Sequence, residues 1–178
     1  MTTSTTHDRQ VAIEQLDSMI HEIDIAMFTT QAGNGLLRSR PMTTACRRFD
    51  GDLWYFTLKK DDRVRDLERN SRVGVTYSCP TARDYVSITG EASIVDDPQK
   101  AEILWRDDLL EWFPEGLETE DLVLIKVKVD HAEYWDQHRM NMTQLLSYAK
   151  SMITGTSVES VSHEEITWPP DTDAVPRL

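Results

Sequence analysis

Arg38 and Arg40 stand two residues apart, and Lys59, Lys60 and Arg63 follow within one stretch, LRSRPMTTACRRFDGDLWYFTLKKDDRVRDLERN, that runs from Leu37 to Asn70. On a strand, residues at spacing two share a face. Cations gathered where a helix begins add to the pull of its free backbone N–H groups on phosphate. The pattern fits an anion pocket set against a flat surface. It fits equally a solvated strand face balanced by the chain's excess acid, and charge alone leaves both readings open.

The aromatic run Trp54-Tyr55-Phe56, ended by the hydroxyl of Thr57, adds a second kind of chemistry. A flat heteroaromatic ligand needs an apolar or aromatic wall, polar groups for its ring edge and cations for any phosphate, and this segment carries all three. At least one face of the strand must still be ordinary core. Other chemistries find no support. His7, His21, His131, His138 and His163 lie scattered, without the spacing or cysteine partners of a zinc site, so no metal is expected. There is no G-x-S-x-G elbow, Walker loop or GxGxxG fingerprint.

The elements that would position these residues follow from periodicity. Ile13, Leu16, Ile20 and Ile23 predict a helix over about Arg9 to Ile23, capped by Thr6 or Asp8. Ile25 to Gln31 reads as a strand, Gly33-Asn34-Gly35 as a reversal, and Leu36 to about Phe49 as a long second strand. Asp50-Gly51 predicts a hairpin into a third strand, Asp52 to Leu58. Asp61 or Asp62 would cap a helix to about Asn70, before a strand over Arg72 to Cys79 that Pro80 ends.

Tyr85 to Val95 is a strand with a bulge or bend at Gly90, and Asp96-Asp97-Pro98 opens a helix that gives way near Trp112-Phe113-Pro114 to a solvated acidic loop. Leu122 to Tyr134 alternates most clearly: Val123, Ile125, Val127 and Val129 form one apolar face, while the face of Leu122, Leu124, Lys126 and Lys128 turns polar midway. Met142 to Ile153 reads as a helix. The expected organisation is one domain over residues 1–155 and a polar tail over 156–178, mobile or draped over a partner. Six strands joined by hairpins and short helices predict a mainly β protein with peripheral helices, a six-stranded antiparallel barrel.

The chain has 178 residues, enough for one sizeable core, and a net charge of −12. That charge argues against nucleic acid and against anionic membrane as partners. Cys46 and Cys79 lack CxxC spacing and read as free thiols. With neither a basic start nor an apolar run at the N-terminus, the expected location is cytoplasmic.

The order Ser39-Arg40-Pro41-Met42, Asp50-Gly51, Leu53-Trp54-Tyr55-Phe56-Thr57, Arg63-Val64 and Asn70-Ser71-Arg72-Val73 resembles the pyridoxamine 5′-phosphate oxidase-like flavin-binding split barrels. Tyr85 to Ala92, Asp96-Asp97-Pro98 and Ala132 to Asp136 extend the likeness, which covers roughly Gln10 to Gly155 and points to the general stress protein branch. The resemblance implies a split barrel that forms a homodimer, with flavin mononucleotide (FMN) at the subunit interface. By position it assigns the cofactor to Arg40, Pro41, Met42, Thr43 and Thr44, to Phe56 and Thr57, to Arg63 near the phosphate, and to Trp135 near the ring. The flavin would carry the chemistry, so no catalytic side chain is assigned.

The implied function is a flavin-dependent oxidoreductase acting on a small molecule, but not a true pyridoxamine phosphate oxidase, whose substrate-phosphate residues find no match. The alternatives are a flavin-storing protein without turnover or a barrel with a degraded site, and another flavin, a deazaflavin, haem or no cofactor in place of FMN. One departure bears on this: Asp61 and Asp62 stand where relatives carry serine and, in the true oxidases, arginine. Like charges about 4 Å apart cost about 4 kcal/mol at an effective dielectric of about 20, so these carboxylates either repel a phosphate or point away from it.

Overall fold

The computed structural model describes residues 3–46, 48–136 and 162–167. It opens with helix α1, Thr3–Ile23, which lays Leu16, Met19 and Ile20 onto the sheet. The helix begins earlier than Arg9, so neither Thr6 nor Asp8 caps it. Strand β1, Ile25–Gln31, turns through Gly35 at φ 83° into β2, Leu37–Thr43. The second strand stops six residues short of Phe49, because Thr44, Ala45 and Cys46 leave the ladder and bury themselves instead.

Asp50-Gly51 does turn the chain, with Gly51 at φ 110°, but the expected hairpin does not form. Strand β3, Asp52–Leu58, pairs instead with the first half of β6, Leu122–Asp136, from Asp52↔Lys128 to Leu58↔Leu122. The reason is burial. Tyr55, Phe56 and Thr57 are buried in succession, so both faces of β3 need apolar cover, and β6 offers Val123, Leu124 and Ile125, buried on both of its faces. A partner strand carrying Arg38 and Arg40 could not supply that.

Strand β4, Arg72–Cys79, joins β1 to β5, Asp84–Val95, and the sheet runs β2-β1-β4-β5-β6-β3. This is the expected six-stranded antiparallel split barrel; its open seam lies between the terminal strands β2 and β3. The β5/β6 register shifts between Thr89 and Gly90. There a Cβ on Gly90 would sit 2.3 Å from the Lys128 carbonyl oxygen, which explains the glycine at the bulge.

Helix α2, Asp62–Arg69, is capped by Asp61 and buries Val64, Asp66 and Leu67. Helix α3, Pro98–Leu104, is capped by Asp97, which accepts from the N–H groups of Gln99 and Lys100. The helix ends well short of Trp112, and two short 3-10 turns follow: Asp107–Glu111, where the helix was expected to continue, and Gly116–Glu118, within the expected acidic loop. They press Leu109 and Phe113 onto the outer face of β3 and β6, where Ala45, Phe56, Leu104 and Leu124 form a second, smaller core.

The segment read as an aperiodic tail contains a seventh strand, β7, Ser162–Thr167, paired with the second half of β6 from His131↔Thr167 to Asp136↔Ser162. The helix expected over Met142 to Ile153 lies outside the described residues. Among the described residues, no helix is long and apolar enough to cross a membrane, and no group of three His, Cys, Asp or Glu side chains could hold a metal.

Candidate functional site

The seam leaves a cleft of about 210 Å³. One wall is β2, through Pro41, Met42 and Thr43; the other is β3, through Phe56, Thr57 and Leu58. The first 3-10 turn and its C-terminal cap add Leu109, Trp112 and Phe113, and the start of α2 adds Asp61 and Arg63. The cleft thus has an aromatic end and a charged end. Phe56 is held edge-on by Trp105 at 5.3 Å and tilted against Phe113 at 6.3 Å, so this wall is braced from behind. Trp112 is 58% exposed at the rim.

Between the two ends lies Thr57, 1% exposed, whose Oγ1 has no hydrogen-bond partner. Leaving a buried hydroxyl unpaired costs about 1–3 kcal/mol. Nearby, Thr44 is equally buried but fully engaged: its Oγ1 lies 2.8 Å from Tyr77 Oη, which in turn lies 3.0 Å from Tyr55 Oη. Burial pushes both phenols well above their ordinary range, and it lifts the Cys46 thiol to about 11, so this network stays neutral and the thiol unreactive.

At the charged end, Asp61 makes three contacts with one residue. It accepts from the Arg63 backbone N–H at 2.8 Å, from Nε at 2.8 Å and from Nη2 at 2.6 Å. The first contact caps α2; the other two form a bidentate fork. That arginine holds the Asp61 carboxyl below its ordinary range. Asp62 turns outward to Arg65 and Arg38.

Arg40 and Lys59 are also engaged. Arg40 Nη1 donates to Thr30 Oγ1 at 3.1 Å, and its Nη2 lies 3.6 Å from the buried Asp66, which accepts from Thr30 Oγ1 at 2.9 Å. Lys59 pairs with Asp96 at 2.7 Å.

The structure therefore brings Pro41, Met42, Thr43, Phe56, Thr57 and Arg63 together around one cleft. Arg40 borders an adjoining groove with Leu58, Lys60, Asp61 and Asp62. Thr44 lies behind the wall, bonded to Tyr77. Trp135 is elsewhere: it pairs with Tyr85 and His163 at the far end of β6, whereas the cleft end of that strand pairs Val123 with Thr57. Twelve residues separate the two, about 40 Å along a strand.

Sequence reasoning missed Leu109, Trp112 and Phe113. The only signal was an apolar Leu109-Leu110 and Trp112-Phe113 pattern inside an acidic stretch.

Residues 11–159 match a family described as pyridoxamine 5′-phosphate oxidase like. The chain is 25% identical over 178 aligned positions to Protein bli-3 of Neurospora crassa, covering 89% of this chain and 85% of that one. Among solved structures, it superposes on General Stress Protein 26 from Bacillus anthracis str. Sterne with a TM-score of 0.61 at 25% identity, over 69% of this chain and 92% of that one. A general stress FMN/FAD binding protein from Xanthomonas citri gives the same TM-score at 22% identity, over 75% and 94%.

Proposed function

The chain belongs to the pyridoxamine 5′-phosphate oxidase-like family, and from that premise we propose that it is a flavin-binding redox protein whose cofactor, FMN, occupies the seam of the barrel. The observation that carries this reading is the unpartnered, buried Oγ1 of Thr57 within a cleft walled by Met42, Phe56 and Phe113. A ligand that presents a flat ring and a polar edge suits both features. The flavin supplies hydride or electron acceptance when bound. The chain's own residues do the rest: Phe56 and Phe113 hold an apolar wall, Met42 and Trp112 shield it from water, and Thr57 offers a hydroxyl to a polar ligand atom. No protein general base is required.

The position of Trp135 supports a homodimer. It lies too far along β6 to reach the cleft of its own chain, and Ile25, Met27 and Trp112 are large apolar side chains left exposed on β1 and at the rim. A second copy would cover such surface and close the open side of the cleft. The dimer is proposed to be cytoplasmic and to oxidise or reduce a small molecule. A storage role without turnover uses the same residues; absence of NAD(P)H oxidation by flavin-loaded protein with common acceptors would select it. The test of binding is the visible spectrum of the purified protein. A flavin spectrum that survives FMN addition and desalting is expected; a colourless protein under both conditions contradicts the proposal.

A further inference from the structure

Resting on the flavin reading of the cleft, we infer that its charged end gives a phosphate dianion little net attraction and accepts a neutral, hydroxylated chain, so that the protein takes riboflavin about as well as FMN. The carboxylate of Asp61 already fills the Nε/Nη2 fork of Arg63, one of the two bidentate edges with which guanidinium can recognise phosphate, and sets a negative charge beside the other. Arg63 is only 21% exposed and Asp61 only 26%, so the pair occupies the cleft wall rather than the surrounding water.

The donor count leads to the same ligand. A phosphate dianion brings only acceptors and negative charge, and Asp61 is likewise an acceptor with negative charge. A carboxylate has about four acceptor positions, and Asp61 uses three on Arg63, leaving room for one hydroxyl donor. In the adjoining groove, Arg40 is committed to Thr30 and Asp66, so it does not restore the missing attraction. Lys60 is the exception: it is exposed, with its ammonium unpaired among the described residues. A single exposed lysine binds phosphate weakly because water screens it.

Dissociation constants for riboflavin and FMN, read from quenching of flavin fluorescence, test this in the full-length wild type and in the variants Asp61→Ser and Asp61→Asn. Both variants keep a side chain that caps α2, and a single cooperative thermal unfolding transition would confirm that they fold. The wild type should bind FMN less than tenfold more tightly than riboflavin. Both variants should gain at least tenfold in affinity for FMN, and gain less or lose for riboflavin, whose chain hydroxyl loses its carboxylate acceptor.

A wild type that prefers FMN by tenfold or more, or variants whose FMN affinity stays within threefold of wild type, would overturn the inference while leaving the flavin reading intact. If neither flavin binds wild type or variants, the flavin reading fails and the inference with it.

Discussion

Thr44 and Thr57 are buried to 2% and 1% exposure on either side of the same barrel seam, yet only one of them has a partner. Thr44 shares a closed set of hydroxyls with Tyr77 and Tyr55, and every member is bonded. Thr57 is buried next to a cleft with its Oγ1 unbonded. The interior of the barrel is thus finished by its own side chains, whereas the seam carries an unfilled requirement. A fold that buries polar atoms at a cost of a few kcal/mol each normally satisfies them. The difference separates what stabilises this chain from what the chain holds ready for a ligand.

Substitutions on the two sides should therefore part company. The largest effect is expected in the interior, where Phe28 is fully buried and packs edge-on to Tyr55 at 5.2 Å. Phe28→Ala should cost about 3–5 kcal/mol in denaturant unfolding. At the rim, Trp112→Ala should leave stability within about 0.5 kcal/mol and weaken flavin binding instead. A Trp112→Ala protein as unstable as Phe28→Ala would erase the distinction.

Gly90→Ala comes next, because its methyl group would meet the Lys128 carbonyl backbone, which cannot rotate away. Such overpacking costs about 1–3 kcal/mol and should lower the melting temperature without altering flavin affinity. Thr44→Val should cost about as much, roughly 1–3 kcal/mol, by leaving Tyr77 with one hydroxyl partner fewer.

The smallest effect concerns pH. Arg63 lowers the folded-state value of Asp61 below its ordinary value of about 3.9. The stability this gives is fully present above that ordinary value and is lost as pH falls through the lowered folded one. The gap in unfolding free energy between wild type and Asp61→Asn should accordingly be constant above about pH 5 and narrow on acidification toward pH 2. A gap that widens on acidification would mean that the fork does not stabilise the fold.

Much of this arrangement was legible in the chain, for local reasons. Strand β1 and strand β4 run as their patterning predicts and Asp61 caps α2, because each depends on residues within a turn or two; Gly90 marks the bulge because a glycine inside a strand pattern signals one even when the close approach comes from a distant strand. What local pattern could not reveal was pairing at a distance. Asp50-Gly51 turns the chain in the expected way, yet the partner of β3 is set by the double-faced burial of Val123, Leu124 and Ile125 some seventy residues later.

The seam that makes the cleft is a consequence of that choice. The aromatic end was hidden for a similar reason: Leu109 lies on a short 3-10 turn, and Trp112 and Phe113 follow directly after it, without a sustained period. The Asp61 and Arg63 fork escaped because side chains two apart face each other only at a cap, outside the spacings of three and four that pair charges along a helix.

The central claim is that Thr57 is kept unpartnered for a ligand, and Thr57→Val tests it most directly because valine keeps the shape and removes the hydroxyl. Thermal unfolding of the ligand-free protein should be unchanged or shifted upward, while the dissociation constant for flavin rises at least fivefold. A Thr57→Val protein that is destabilised as Thr44→Val is, and that binds flavin as tightly as wild type, would contradict the account.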